Sequence, residues 1–112
     1  MTKAEVFAGV CGFTTTIEAV RDGRGRVRLH IQSGCTAVQR LARELDQVDP
    51  FREIAFGDDG PETLRVAARC QCHTACPVPA GIIKTVEVEA GLALPADAII
   101  RMSPCEDGNP TA

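Results

Sequence analysis

Val27-Arg28-Leu29-His30-Ile31-Gln32-Ser33-Gly34-Cys35-Thr36-Ala37-Val38-Gln39-Arg40-Leu41-Ala42-Arg43-Glu44-Leu45 changes its hydrophobic period part-way along. From Val27 to Ile31 the apolar Val27, Leu29 and Ile31 alternate with Arg28 and His30, the two-residue period of a strand covered on one face. Beyond Ser33-Gly34, Val38, Leu41, Ala42, Leu45 and Val48 recur at helical spacing, with Gln39, Arg40, Arg43, Glu44 and Gln47 on the opposite side. Ser33 or Thr36 supplies a cap at the helix start, and Asp49-Pro50 a stop. A strand followed at once by an amphipathic helix gives each element an apolar face for the other to cover.

On the N-terminal side, Phe13 to Val20 is rich in threonine and β-branched residues and reads as a second strand, joined to the first by an Asp22-Gly23-Arg24-Gly25 turn. On the C-terminal side, Phe51 to Phe56 reads as a short strand or an irregular return. Asp58-Asp59-Gly60-Pro61 then opens a helix with Leu64, Ala67 and Ala68 facing inward, running into Cys70. The extended Cys76-Pro77-Val78-Pro79 feeds a third helix from about Ala80 to Ala90. Thr85 to Glu89 alternates as a strand would, but Pro79, the shared face of Ile82, Ile83, Val86 and Ala90, and the stop at Gly91 favour a helix. Ala98 to Met102 reads as a last short strand. The expected fold is α+β: a small sheet of three or four strands with about three helices on one face, in a single domain over residues 1–106 with a frayed tail at 107–112.

A chain of 112 residues is the size of one domain, and 45% hydrophobic with 24% charged residues places it among globular chains rather than disordered ones. Aromatic residues amount to 4%, with no Trp or Tyr, so Val, Ile, Leu and Ala must build the core, with Phe7, Phe13, Phe51 and Phe56 expected as its few large anchors. Platforms that stack bases or sugars are poorly supplied. A net charge of −3 argues against nucleic acid and anionic membrane as partners. Arg21, Arg24, Arg26 and Arg28 surround the turn and read as solvated, an anion contact being the sharper alternative. The N-terminus lacks the layout of a signal peptide, and no apolar run approaches the ~20 residues of a membrane span, so a cytoplasmic location is expected. Thiols stay reduced there, which turns the reading of six cysteines towards metal or redox chemistry.

Those cysteines are Cys11, Cys35, Cys70, Cys72, Cys76 and Cys105. Cys70-Gln71-Cys72-His73-Thr74-Ala75-Cys76 places three thiols and an imidazole in one loop, a donor set suited to zinc, iron or copper. Cys35 stands at the expected start of the first helix and Cys76 just before the third, where unpaired N–H groups favour anionic sulfur. Cys11 lies between Gly9 and Gly12, which allow close backbone approach. The candidate ligands are therefore Cys11, Cys35 and Cys76, with Cys72 or His73 (and after them Cys70) for a fourth position. Cys105 reads as incidental and His30 as solvated. Paired C-x-x-C knuckles and the ferredoxin cysteine run are absent, though Cys76-Pro77 matches the end of the latter. Lys84 and Glu87 read as a surface ion pair, and Glu87 and Glu89 as solvated carboxylates. No phosphate loop, nucleophile elbow or HExxH motif is present.

Ala8-Gly9-Val10-Cys11-Gly12-Phe13, His73-Thr74-Ala75-Cys76-Pro77-Val78-Pro79, Lys84-Thr85-Val86-Glu87 and Gly91-Leu92-Ala93-Leu94-Pro95 resemble a family of short uncharacterised proteins from anaerobic bacteria and archaea, over about Ala4 to Met102. The resemblance implies an anoxic cytoplasm and a shared use of positions matching Cys11, Cys35 and Cys76. It carries no activity. An anaerobic setting would favour an oxygen-sensitive iron–sulfur cluster, including a 4Fe-4S form, over zinc.

Three functions are therefore in play. The first is an intracellular metal-binding protein with an iron–sulfur cluster or zinc on cysteine thiolates. The second is a metal-free thiol redox or sulfur-transfer protein, and the third a structural or interaction domain with inert cysteines. A small molecule or a redox protein is the partner expected for the first two.

Overall fold

The computed structural model describes residues 1–105, so the expected tail at 107–112 lies outside the described residues. Four strands, β1 (Thr2–Phe7), β2 (Thr14–Arg21), β3 (Val27–Ser33) and β4 (Gln47–Val48), form an antiparallel sheet in the order β1-β2-β3-β4. Four helices, α1 (Thr36–Glu44), α2 (Pro50–Glu53), α3 (Glu62–Arg69) and α4 (Val78–Glu89), complete the α+β fold. Among the described residues no helix is long and apolar enough to cross a membrane.

The register explains which side of the sheet is covered. Ala4 pairs with Ile17 and Ile17 with Ile31, so alternate residues of three strands share one face. That face supplies Ile17, Ala19, Val27 and Ile31 to the core, against Val38, Leu41 and Leu45 of the α1 segment, Val66 and Ala67 of α3, and Val78, Ile82 and Val86 of α4. The opposite face carries Lys3, Glu5, Thr16, Glu18, Arg28 and His30 and is left to solvent or half-covered. His30 is exposed, as the alternation requires.

The Asp22 turn forms as its composition demands. The Asp22 carboxylate accepts the backbone N–H groups of Arg24 and Arg26 at 2.8 and 3.2 Å, and these bonds hold its carboxyl below the usual range despite the opposing pull of desolvation. Gly23 and Gly25 adopt positive φ within it.

Several expectations are corrected. The phenylalanines are not core anchors: Phe7, Phe51 and Phe56 are 64%, 70% and 75% exposed, and Phe13 is 40%. Phe7 falls on the open face by strand parity, Phe51 is on the exposed side of α2, and Phe13 and Phe56 sit in connections. Asp49-Pro50 does not end the first helix, which stops at Glu44; it starts α2, with Asp49 capping Phe51 N–H at 3.1 Å. Phe51 to Phe56 is thus a short helix and loop rather than a strand. Val48, assigned to the helical stripe, pairs with Val27 in β4. In α3 the inward residues are Thr63, Val66 and Ala67; Ala68 is exposed and Leu64 half-covered, a one-residue rotation of the expected face. Ala98 to Met102 forms no strand and is exposed throughout. β1 was not anticipated.

Two carboxylates clamp the helices. Glu53, 2% exposed, accepts the N–H groups of Glu62 and Thr63 at 2.9 and 3.0 Å and the Thr63 hydroxyl, satisfying the first turn of α3 from another element. Glu89, expected on a solvated face, is 9% exposed. It accepts the Thr2 hydroxyl at 2.8 Å and the Arg21 N–H at 3.0 Å, fixing the end of α4 across β1 and β2. Burial pushes its pKa up, but these bonds outweigh it and the net shift is downward. The expected Lys84–Glu87 ion pair does not form.

Candidate thiolate site

Two helices and one hairpin define the end of the sheet at which the cysteines gather. β3 finishes at Ser33, and α1 starts two residues later with Cys35 as its N-cap. Neither expected cap serves: the Ser33 hydroxyl accepts the Cys35 N–H at 3.2 Å and the Thr15 hydroxyl at 2.8 Å, so it braces the strand exit instead. α4 lies with its start over the same end. A Cβ on Gly81, in its second turn, would come within 2.5 Å of Val6, while Glu89 at its other end reaches Thr2 and Arg21. Cys76, two residues ahead of Val78, is thereby carried towards Cys35.

The third thiol arrives through a change of chain direction. After α3 the Gln71 N–H bonds the Ala68 carbonyl and the Cys72 N–H bonds the Ala67 carbonyl at 3.0 Å, which is a Schellman ending. It requires a left-handed residue, supplied by Gln71 at φ 60°, the one described non-glycine with positive φ. The reversal separates neighbouring cysteines. Cys70, 2% exposed, points back along α1 and donates its thiol to the Glu44 carboxylate at 3.1 Å. Burial, then that carboxylate, raises the Cys70 pKa, so this thiol stays protonated and serves the core. Cys72 turns to the first turn of α1, with its sulfur 3.8 Å from the Ala37 carbonyl oxygen.

Cys35, Cys72 and Cys76 are all half-buried and packed against the core. Burial raises the Cys72 pKa, and the neighbouring Cys76 and Cys35 sulfurs raise it further, with the Arg40 guanidinium acting against them. Arg40 also donates to the Cys70 carbonyl at 3.0 and 3.3 Å, so one α1 cation both fixes the loop and faces its sulfurs. Nothing in the sequence distinguished Arg40 from the other polar residues of that helix face.

The remaining candidates stand apart from this trio. Cys11 ends a one-turn 3-10 helix at Gly9–Cys11 in the β1–β2 connection, and it is exposed. Its loop approaches Cys35 only through Phe13, whose ring packs on Gly34. His73 is exposed; its carbonyl accepts the Cys76 N–H at 3.0 Å, which shapes the turn without using the ring. Cys105 is exposed, beyond the last helix in a stretch without regular structure. No disulfide joins these cysteines. Among the described residues no three His, Cys, Asp or Glu side chains are spaced to grip a metal ion as they stand. The trio is a cluster of neighbours whose sulfurs would have to turn inward to share one.

Residues 2–102 match the family of unknown function DUF6951, and the chain belongs to that family. No curated protein and no solved structure matches it.

Proposed function

We propose that this member of the DUF6951 family holds a soft metal centre, an iron–sulfur cluster or zinc, on the thiolates of Cys35, Cys72 and Cys76. The observation that carries the reading is that Cys72 has both Cys76, of its own loop, and Cys35, at the start of α1, as close neighbours at one end of the sheet. As a free thiol Cys72 is disfavoured from ionising, by burial first and then by its Cys76 and Cys35 neighbours. A bound cation reverses that balance by taking the protons' place, and metal binding of this kind releases protons and draws ligands together. Thiolate donors select iron–sulfur clusters and zinc over hard cations. Cys11 or His73 would have to move towards the trio to supply a fourth ligand, and without one a three-cysteine cluster would keep one iron open for a small molecule or a redox partner. A reducing, anoxic cell interior suits this chemistry, and the cytoplasm is the proposed location.

Serine replacement tests the assignment. Protein purified without oxygen should lose metal, and sulfide if a cluster is present, with Cys35→Ser, Cys72→Ser and Cys76→Ser, and keep both with Cys105→Ser. Full metal content in all three site variants would reject the trio.

The metal-free thiol reading has one observation in its favour, the lack of a ready-spaced donor group among the described residues. It predicts a single fast-alkylating thiol in native protein. The raised pKa of Cys72 weighs against that residue as the nucleophile, leaving Cys35 or Cys76.

A further inference from the structure

The arginines of the β2–β3 turn divide in the folded protein. Arg21, Arg24 and Arg28 are exposed as expected, but Arg26 is half-buried, and its Nε is sealed from solvent with no hydrogen-bond acceptor among the described residues. An unmet buried donor on a charged group is costly, on the order of 1–3 kcal/mol or more. The Nε itself is out of a ligand's reach, and it is the accessible remainder of Arg26 that faces a cleft. The pairing of Val27 with Val48 continues outward to set Arg26 beside Asp49, at the start of α2. Glu53 ties the end of α2 to the first turn of α3. Arg26, Asp49, Arg52, Glu62 and Arg65 consequently line one cleft.

Three guanidinium groups thus approach a common space from a turn, from α2 and from α3. None of them forms a salt bridge among the described residues. Of the two carboxylates that line the cleft, Asp49 is engaged in capping Phe51, and Glu62 pairs with none of the three arginines among the described residues, leaving a net excess of one positive charge; the nearby Glu53 has both oxygens turned to the α3 backbone and Thr63. Arg65 is held in place by the carbonyls of Asp59 and Gly60. A planar carboxylate is satisfied by a single guanidinium fork, whereas a tetrahedral oxyanion offers acceptors in several directions at once. We propose that this cleft binds a phosphate group, with Arg26, Arg52 and Arg65 as its donors. The site lies at the opposite end of β3 from the thiols, about 20 Å away at ~3.3 Å per residue, and does not depend on the metal reading.

The test is a titration of the full chain with inorganic phosphate at constant ionic strength, following the arginine Nε–H resonances by NMR. Phosphate should shift the Arg26 signal saturably, and acetate or chloride at equal ionic strength should bind at least tenfold more weakly. Arg26→Gln should weaken phosphate binding at least tenfold, and so should Arg52→Gln, which is on the surface and remains informative if the first variant does not fold. Arg24→Gln, outside the cleft, should leave it unchanged. No saturable shift, an equal response to chloride, or equal losses from Arg24→Gln and Arg52→Gln would overturn the proposal. A parallel titration with glycerol 3-phosphate separates the two sources of the group: tighter binding than phosphate assigns the cleft to phosphorylated metabolites, weaker binding to the free ion.

Discussion

Replacing Glu89 by Gln probes the joint that aligns α4 with the sheet and so sets where Cys76 arrives. Separate oxygens of this carboxylate accept the Thr2 hydroxyl at 2.8 Å and the Arg21 N–H at 3.0 Å, at 9% exposure. Glutamine keeps one oxygen acceptor and turns an NH2 towards the other donor, so about one charge-assisted bond is lost. Such a bond contributes roughly 1.5–3 kcal/mol, and a loss of about 2 kcal/mol lowers Tm by about 10 °C in a domain of this size. The pH dependence follows from the downward shift of the Glu89 pKa from its ordinary 4.5. A depressed folded-state pKa contributes stability that is fully present above the unfolded value and is lost as pH falls through the folded one. Thermal unfolding of wild type and Glu89→Gln should therefore differ most at neutral pH and converge in acid. A gap under about 2 °C at pH 7, or one that persists undiminished at about pH 3, would refute this account of the joint.

Gly81→Ala should destabilise by about 1–3 kcal/mol in chemical denaturation, because the new Cβ would meet Val6 at 2.5 Å where α4 lies closest to β1. Gln71→Gly should stabilise by about 0.5–1 kcal/mol in the same assay, since glycine relieves the left-handed strain at φ 60° but starts from a more flexible unfolded chain. Cys70→Ala should cost about 1–2 kcal/mol through lost packing while leaving metal content unchanged, because its thiol is committed to Glu44; loss of metal in this variant would return Cys70 to the ligand set.

Where local chemistry decides conformation, the sequence was readable. The Asp22 turn, the alternation of β3, the α1 stripe and the third predicted helix all form, because each rests on residues a few positions apart, although that helix starts at Val78 and takes in Pro79 instead of following an extended lead-in. Features that depend on distant partners were not readable. β1 has a plain alternating pattern that becomes a strand by pairing with β2, and β4 is two residues that exist only against β3. Ala98 to Met102 has strand composition but pairs with neither β1 nor β4, the edges of the sheet. The phenylalanines failed as anchors because size alone does not say which face of a sheet the helices will cover. At the site, Cys35 does stand at the start of α1 and Cys76 just ahead of α4, as the sequence suggested, and the dense loop does bring Cys72 beside them. The separation of Cys70 from Cys72 hangs on one backbone angle at Gln71, which composition does not encode, and Arg40 emerges only when α1 and the loop are seen together.

The central claim is that Cys35, Cys72 and Cys76 form a metal-holding thiolate cluster. Iron, zinc and acid-labile sulfide per chain, measured with an absorption spectrum on protein purified and kept free of oxygen, test it most directly. The account predicts one centre per chain, either iron with matching sulfide and visible absorption, or colourless zinc. Fully folded protein with neither metal nor sulfide would contradict it.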